Sequence, residues 1–180
     1  MAVTMLKNAN SPYMGNFRMT QCQTANHDGY DLVGLESKEI HSTVNGVVVY
    51  AGWENTANHS QGFGQYVCIR NNKDGYYYYY GHLSEIKVKT NQSVKVTDVI
   101  GIEGSTGYST GSHCHYCVRK QYARGNALNL ASISGIPNSL GDYNDGYNVN
   151  QTLTPEVKKK TIEVELKYDG VTYTGTLTQK

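Results

Sequence analysis

The chain has 180 residues, with 16 Lys and Arg against 15 Asp and Glu, which gives a net charge of +1. This near-neutral balance argues against nucleic acid as a partner. No apolar run approaches the roughly 18 residues that a membrane helix needs, so we expect no membrane insertion. Nineteen glycines, 16 tyrosines and a mean hydropathy of −0.54 indicate a polar globular protein built from strands and tight turns.

The amino-terminal segment, MAVTMLKNANSPYMGNFRMT, has an early lysine but no apolar block of about 7–15 residues behind it. We therefore expect no secretory signal peptide. Strand patterns follow, separated by turns rich in Gly and Asn. They cover 44–53, 65–70, 76–80, two short segments within 86–96, and 99–102. A single helical turn is expected at 129–134, before a Gly-Ile-Pro breaker. The pattern predicts a mainly β, antiparallel domain over residues 1–141.

The composition changes at residue 142. Residues 142–160 carry Asn, Asp, Gly, one proline and three consecutive lysines, and are predicted to be a linker. Residues 161–180 alternate apolar and polar side chains around Asp169-Gly170, which is a strong β-hairpin signal. Because a lone two-stranded hairpin is marginally stable in water, we expect it to dock on the main domain, bind a partner or form a homo-oligomer with another copy.

Three histidine patterns carry the chemistry. His27 precedes Asp31 by four residues, His82 follows a glycine, and His113 and His115 are two residues apart. Residues two or four apart in an extended segment share a face. His27, Asp31 and one histidine of the third pattern make a two-nitrogen, one-oxygen ligand set that suits zinc and leaves a fourth position open. The other histidines can transfer protons or stabilise an oxyanion.

With these motifs, residues 17–138 resemble the lysostaphin-like (LytM-type) zinc metallopeptidases, which cut peptides of bacterial peptidoglycan. The similarity includes the His27-to-Asp31 motif, VNGVVVYAGW from residue 44, and a long central block. That block reads GYYYYYGHLSEIKVKTNQSVKVTDVIGIEGSTGYSTGSHCHYCVR and ends in the His-x-His motif. The resemblance implies a small antiparallel β domain, a duplicated hybrid motif, with the metal in a groove.

The resemblance also assigns roles to individual residues. It implies that His27, Asp31 and His115 bind one zinc ion per chain. It implies that His82 and His113 are the catalytic pair beside the metal. Asn26 stands where the family often has a further histidine, but neither this nor the cysteines around His115 removes a ligand. An intact enzyme is therefore expected.

Further candidate roles fall to three tyrosines and the four cysteines. Tyr78 and Tyr80 are predicted to line the substrate groove because they share the strand face of His82. Tyr13 is a candidate for the tyrosine that contacts the oxyanion in some family members. The four cysteines are expected to be reduced thiols, with a redox role or accessory metal binding as alternatives for the pair Cys114 and Cys117.

The sequence thus predicts a zinc-dependent endopeptidase that hydrolyses peptide cross-links of peptidoglycan. An intact lytic site without a signal peptide is typical of a phage or prophage product. We expect a lysin or a virion component that is made in the host cytoplasm and acts on the wall. Two alternatives are a non-catalytic wall-binding module that keeps the peptidase fold and a phage structural or assembly protein.

Overall fold

The computed structural model describes residues 2–6, 9–145, 161–168 and 171–178. The chain divides into two compact units, Met1–Val149 and Asn150–Lys180. Within the described residues, no helix is both long and apolar enough to cross a membrane.

The regular secondary structure of the first unit is almost entirely β-strand. They are β1 (Val3–Met5), β2 (Asn16–Gln21), β3 (Tyr30–Gly34), β4 (Glu39–His41), β5 (Gly46–Trp53), β6 (Gln65–Asn71), β7 (Tyr77–Gly81), β8 (Glu85–Ile86), β9 (Ser93–Val94), β10 (Val99–Ile102), β11 (Cys114–Gln121), β12 (Arg124–Ala127) and β13 (Gly141–Asn144).

Most of these strands belong to one large sheet. Within the described residues it has ten strands, in the order β1-β13-β2-β3-β11-β7-β6-β5-β9, with β12 also paired to β11. Strands β4, β10 and β8 form a second, smaller sheet. The pairs are antiparallel except for β1 with β13, which are parallel. The predicted mainly β architecture is confirmed. The parallel edge pair was not predicted because it joins residues 3–5 to 142–144, beyond the reach of a local pattern.

Strand β11 lies at the centre of the large sheet and directs its side chains alternately to the two faces of that sheet. Cys114, Tyr116 and Val118 point into the main hydrophobic core. Cys117 points the other way, into a smaller cluster with Tyr79. This alternation follows from the two-residue period of a strand. It places His115 and Arg119 on the same face as Cys117, where the candidate site lies.

The predicted helical turn is present as α1 (Leu130–Ser134). The side chain of Asn129 caps its start by accepting a hydrogen bond from the backbone N–H of Ser132. Gly135 ends it in the left-handed conformation, with φ of 70°.

The predicted linker begins too early. Asp142 and Tyr143 pair with Arg18 and Phe17 of β2, so the first residues of that segment belong to the sheet. The carboxylate of Asp142 also accepts two hydrogen bonds from the Arg18 guanidinium, at 2.6 and 2.9 Å. The remainder, residues 146–160, lies outside the described residues.

The second unit contains the predicted hairpin. Strands β14 (Thr161–Tyr168) and β15 (Val171–Thr178) pair in antiparallel register from Thr161 opposite Thr178 to Tyr168 opposite Val171. This register leaves two residues for the turn, as the Asp-Gly signal predicted. The turn residues themselves lie outside the described residues.

Candidate active site

An open cleft of about 510 Å³ lies on the Cys117 face of the sheet. All five histidine and aspartate residues that the sequence singled out for metal binding or catalysis line it. The lining residues are Gln21, Asn26, His27, Asp28, Asp31, Glu54, Gly62, Phe63, His82, Tyr108, Ser109, Thr110, His113, His115 and Arg119.

Strand pairing brings the first and last motifs together. Asp31 on β3 and His115 on β11 are direct register partners, although they are 84 residues apart. His27 lies just before β3, where it forms an isolated bridge with Thr24. Its Nδ1 lies 2.9 Å from the carbonyl oxygen of Cys22. The ring of His27 is therefore anchored on one side and faces Asp31 on the other.

Three donor atoms converge at this point. His27 Nε2 lies 3.0 Å from Asp31 Oδ1 and 3.2 Å from His115 Nδ1, and the last two atoms are 2.9 Å apart. Zinc–ligand distances of about 2.0–2.1 Å in a tetrahedral site place neighbouring donors about 3.3 Å apart. The three atoms are thus close to the spacing that a divalent metal ion requires, and both ring nitrogens face the carboxylate.

In this cluster the carboxylate of Asp31 and the imidazoles of His27 and His115 stabilise one another's charged forms. Burial raises the pKa of Asp31, but hydrogen bonds from His115 and His27 outweigh it and hold that pKa well below its usual value. The hydrogen bond to Asp31 raises the pKa of His27. For His115, burial lowers the pKa, but hydrogen bonds to Asp28 and Asp31 outweigh it and raise the pKa well above the usual value. A permanent carboxylate therefore attracts cationic charge to this position. The donor set fits a metal ion.

His82 and His113 stand beside the three donors. Their ring centroids are 4.6 Å apart, and His113 Nε2 lies 3.5 Å from Asp31 Oδ1. His82 Nδ1 lies 2.7 Å from the carbonyl oxygen of Thr106, and His113 Nδ1 lies 2.8 Å from that of Gly111. Because a carbonyl only accepts hydrogen bonds, these contacts assign the proton to Nδ1 in each neutral ring. Nε2 is then left as a proton acceptor in the cleft.

Burial sets the protonation state of His82. It lowers the pKa of this imidazole from 6.5 to about 4, so the ring is neutral at pH 7. The backbone φ of His82 is 62°, which is uncommon for a residue other than glycine. Its backbone N–H donates to the carbonyl of Phe63 at 2.7 Å. The chain therefore turns at His82 instead of continuing β7.

That turn explains why the prediction for Tyr78 and Tyr80 is wrong. Alternation along an unbroken strand placed both on the side of His82, but the left-handed residue ends the alternation. Tyr80 is fully buried, and its hydroxyl lies 2.7 Å from Thr43 Oγ1. Tyr78 is 3% exposed and lines a different cavity.

The prediction for Tyr13 is also wrong. Its side chain is 1% exposed and does not line the cleft. The hydroxyl lies 2.9 Å from the carbonyl oxygen of Leu32 and 2.6 Å from Glu103 Oε2. Tyr13 therefore belongs to the hydrophobic core behind the site and links Leu32 to Glu103 through its hydroxyl.

The sequence reasoning missed two charged residues. Asp28 lies beside His115, with Oδ1 at 3.1 Å from Nε2, and Arg119 binds the other oxygen of Asp28. Arg119 could have been found, because it is four residues after His115 on the same strand and must share its face. No local signal marks Asp28, whose contacts with these two residues span 87 and 91 positions.

The cysteines do not form disulfides. All four are free thiols. Cys114 and Cys117 lie on opposite faces of β11, in separate clusters, as expected for residues three apart in a strand.

Comparison with known proteins places this site in a family. Glycyl-glycine endopeptidase ALE-1 of Staphylococcus capitis is 35% identical over 91 residues, which are 51% of this chain and 24% of that protein. The chain thus spans about a quarter of the length of this relative.

Two solved structures have the same fold. The catalytic domain of the prophage-encoded M23 protein EnpA from Enterococcus faecalis has a TM-score of 0.56 and 27% identity, covering 67% of this chain and 95% of that one. The catalytic domain of lysostaphin from Staphylococcus simulans has a TM-score of 0.55 and 28% identity, covering 69% and 93%. These matches confirm the lysostaphin-like fold. Residues 25–130, more than half of the chain, match the profile of peptidase family M23, and the chain belongs to that family.

Proposed function

We propose that this protein is a zinc-dependent endopeptidase that hydrolyses peptide cross-links of bacterial peptidoglycan. The observation that carries the proposal is the convergence of His27 Nε2, Asp31 Oδ1 and His115 Nδ1 within 3.2 Å of one another, beside His82 and His113. Two nitrogens and one carboxylate oxygen are typical of a catalytic zinc site with an open position. The glycyl-glycine endopeptidase activity named for ALE-1 supports the substrate class.

The chain supplies both the ligands and the proton-transfer groups. His27, Asp31 and His115 would hold the metal, which when bound acts as a Lewis acid and lowers the pKa of its water to about 7. His82 and His113 keep Nδ1 bonded to backbone carbonyls and present Nε2 to the cleft. One of them accepts a proton at Nε2 from the nucleophile, and the other, once Nε2 is also protonated, donates a hydrogen bond to the oxyanion. Because both rings are anchored in the same way, either histidine fits either of these two roles.

The proposal is tested with purified full-length protein. We expect one zinc ion per chain by elemental analysis and loss of turbidity in a suspension of purified cell walls. A His115→Ala variant should lose both the metal and the activity, because it removes one of three protein ligands. Bound zinc without any release of wall fragments would instead support the non-catalytic wall-binding alternative. Mass spectrometry of the fragments from walls with different cross-links identifies the bond that is cut.

We also propose that the protein is a phage or prophage product that is made in the host cytoplasm and acts on the wall. Similarity to the EnpA domain, which is prophage-encoded, supports this origin. After induction of the source strain, mass spectrometry should find the protein in purified phage particles if it is a virion component. A lysin should instead be found in the lysate alone, and absence from both fractions would contradict a phage role.

For the hairpin, we propose pairing with the hairpin of a second copy. Its register sets Ile162 opposite Leu177 and Leu166 opposite Tyr173, so apolar residues oppose one another along an element that is marginal alone. Sedimentation analysis should give an oligomer for the full chain and a monomer after deletion of residues 161–180. A monomeric full chain would contradict the proposal.

A further inference from the structure

We propose that Asp28, fixed by Arg119, is a positioning residue that orients the His115 imidazole toward the metal. The inference rests on the proposed metal-dependent function and extends it to two residues outside the ligand set. Neither residue belongs to the His-x-x-x-Asp or His-x-His motif.

The two nitrogens of His115 face different carboxylates. Nδ1 lies 2.9 Å from Asp31 Oδ1, inside the ligand cluster, whereas Nε2 lies 3.1 Å from Asp28 Oδ1. An ionised carboxylate only accepts hydrogen bonds, so the contact with Asp28 retains the proton on Nε2. A metal ion held by Asp31 and His27 would replace the proton at Nδ1, and Nδ1 would then offer its lone pair while Asp28 keeps the proton on Nε2. Outer carboxylates that fix the tautomer and the orientation of a ligating histidine have this effect in metal sites generally.

Arg119 fixes Asp28 in turn. Its guanidinium binds Asp28 Oδ2, which leaves Oδ1 for His115. The guanidinium carbon also lies 5.5 Å from the ring centre of Phe63 and 5.1 Å from that of Tyr79. A guanidinium held between a carboxylate and two aromatic rings has little freedom to move. Both carboxylate oxygens of Asp28 are therefore engaged, and the His115 ring is held from the side opposite the metal ligands.

A second metal site is the rival interpretation of the same residues. Asp28, His115 and Cys117 offer one donor atom each, and these atoms lie within 4.8 Å of one another. Metal binding there would require His115 to give up the proton on Nε2 while Nδ1 binds the first metal. It would also set a second cation beside the Arg119 guanidinium, which already neutralises Asp28. Both conditions oppose a second ion and favour the positioning role.

The test measures metal binding and not only activity. Zinc affinity is obtained by competition with a chromogenic chelator, and ligand geometry from the absorption spectrum of the cobalt-substituted protein. Asp28→Ala should weaken zinc binding about 10- to 100-fold and change the cobalt spectrum. Asp28→Asn, whose amide oxygen can still accept from Nε2, should lie between Asp28→Ala and the wild type.

Asp142→Ala is the matched control. Like Asp28→Ala, it breaks an Arg–Asp pair, here the two-bond pair with Arg18, but on β13, away from the cleft. It should leave zinc affinity and the cobalt spectrum unchanged. If Asp28→Ala fails to fold, Asp28→Asn and Arg119→Lys, which should weaken zinc binding less than Asp28→Ala, provide the same comparison.

The outcomes separate the two proposals. Asp28 variants that bind zinc as tightly as the wild type, with the same cobalt spectrum, would overturn the positioning role and leave the proposed function intact. Two zinc ions per wild-type chain, falling to one in Asp28→Ala, would establish the second site and also overturn it. A wild-type chain that binds no zinc would overturn the proposed function and this inference with it.

Discussion

Gly29 lies directly against the imidazole of His115. A methyl group added to its Cα would lie 2.5 Å from His115 Nε2, 2.7 Å from its Cε1 and 2.7 Å from the carbonyl oxygen of Tyr116. Distances this short are not found for real side chains, so a larger residue must displace the ring or the strand. The absence of a side chain at position 29 allows the His27 segment to pack onto β11.

Gly29→Ala should therefore weaken zinc binding by at least about tenfold, because a displaced His115 ring no longer meets the other donors. Competition with a chelator measures the effect. Gly111→Ala is the control, since a Cβ there meets nothing within 4 Å. Equal zinc affinity in Gly29→Ala and the wild type would show that the close contact does not govern the site.

Replacement of His82 should separate metal binding from catalysis. The ring lies outside the group of three converging donors. His82→Ala should therefore retain one zinc ion and lose about 100- to 1000-fold in the rate of wall hydrolysis, as expected for one transition-state hydrogen bond or proton-transfer group. Elemental analysis and a turbidity assay on the same preparation measure both quantities. A variant with zinc and the full rate would rule out a catalytic role.

His82 should also make the metal-free protein less stable in acid. Burial lowers the pKa of His82 from 6.5 to about 4. Between these values the unfolded chain binds a proton at this residue and the folded chain does not, so its effect on the free energy of unfolding becomes less favourable as the pH falls from 6.5 to 4. Above pH 6.5 both states are neutral and the effect is constant.

A His82→Gln variant should accordingly lose less stability than the wild type across that interval. Urea unfolding of the metal-free proteins at several pH values measures the difference between the two curves. Parallel curves between pH 6.5 and 4 would show that His82 is not buried in its neutral form.

Glu103 is a buried carboxylate behind the site. It accepts hydrogen bonds from the Tyr13 hydroxyl at 2.6 Å and from the Gly34 backbone N–H and Lys38 Nζ at 2.9 Å each. Glu103→Ala removes a buried acceptor shared by these donors and should destabilise the protein by about 3 kcal/mol. Urea unfolding of the metal-free protein provides the measurement.

Two further variants calibrate this value. Tyr13→Phe removes one hydroxyl and keeps the ring, so it should cost about 1 kcal/mol. Glu85→Ala removes an exposed carboxylate that pairs with Lys87 and should change stability by less than about 0.5 kcal/mol. A Glu103→Ala variant as stable as Glu85→Ala would contradict the structural role of the buried network.

The thiols should differ sharply in reactivity. Cys68, Cys114 and Cys117 are fully buried, whereas Cys22 is partly exposed. Burial also raises the pKa of the Cys68 and Cys114 thiols, which suppresses the reactive thiolate. A thiol reagent should label one cysteine rapidly in the folded protein and four in denaturant. Cys22→Ser should abolish the rapid phase, and rapid labelling that persists in this variant would contradict the burial of the other three.

Much of the secondary structure of this protein could be predicted from short stretches of its sequence. The strand segments, the capped turn before Gly135 and the two-residue hairpin turn each depend on residues that are close in the chain. The same holds for the motifs that contain His27, Asp31 and His115, whose spacing is short and whose chemistry is distinctive. For this reason the mainly β fold and a ligand set of His27, Asp31 and one histidine of the His-x-His motif could be predicted from the residues. The choice of His115 as the ligand, and of His82 and His113 as the catalytic pair, came from the family resemblance.

The tertiary structure decided which side chains share the cleft. The left-handed conformation of His82 ends the alternation of β7, so His82 enters the cleft while Tyr78 and Tyr80 stay on the core face of the strand. Pairing of β3 with β11 brings Asp28 to His115 and Arg119, which follow it in the chain by 87 and 91 residues. Side-chain periodicity holds only within an unbroken strand, and contacts between distant segments depend on which strands pair, which no local pattern specifies.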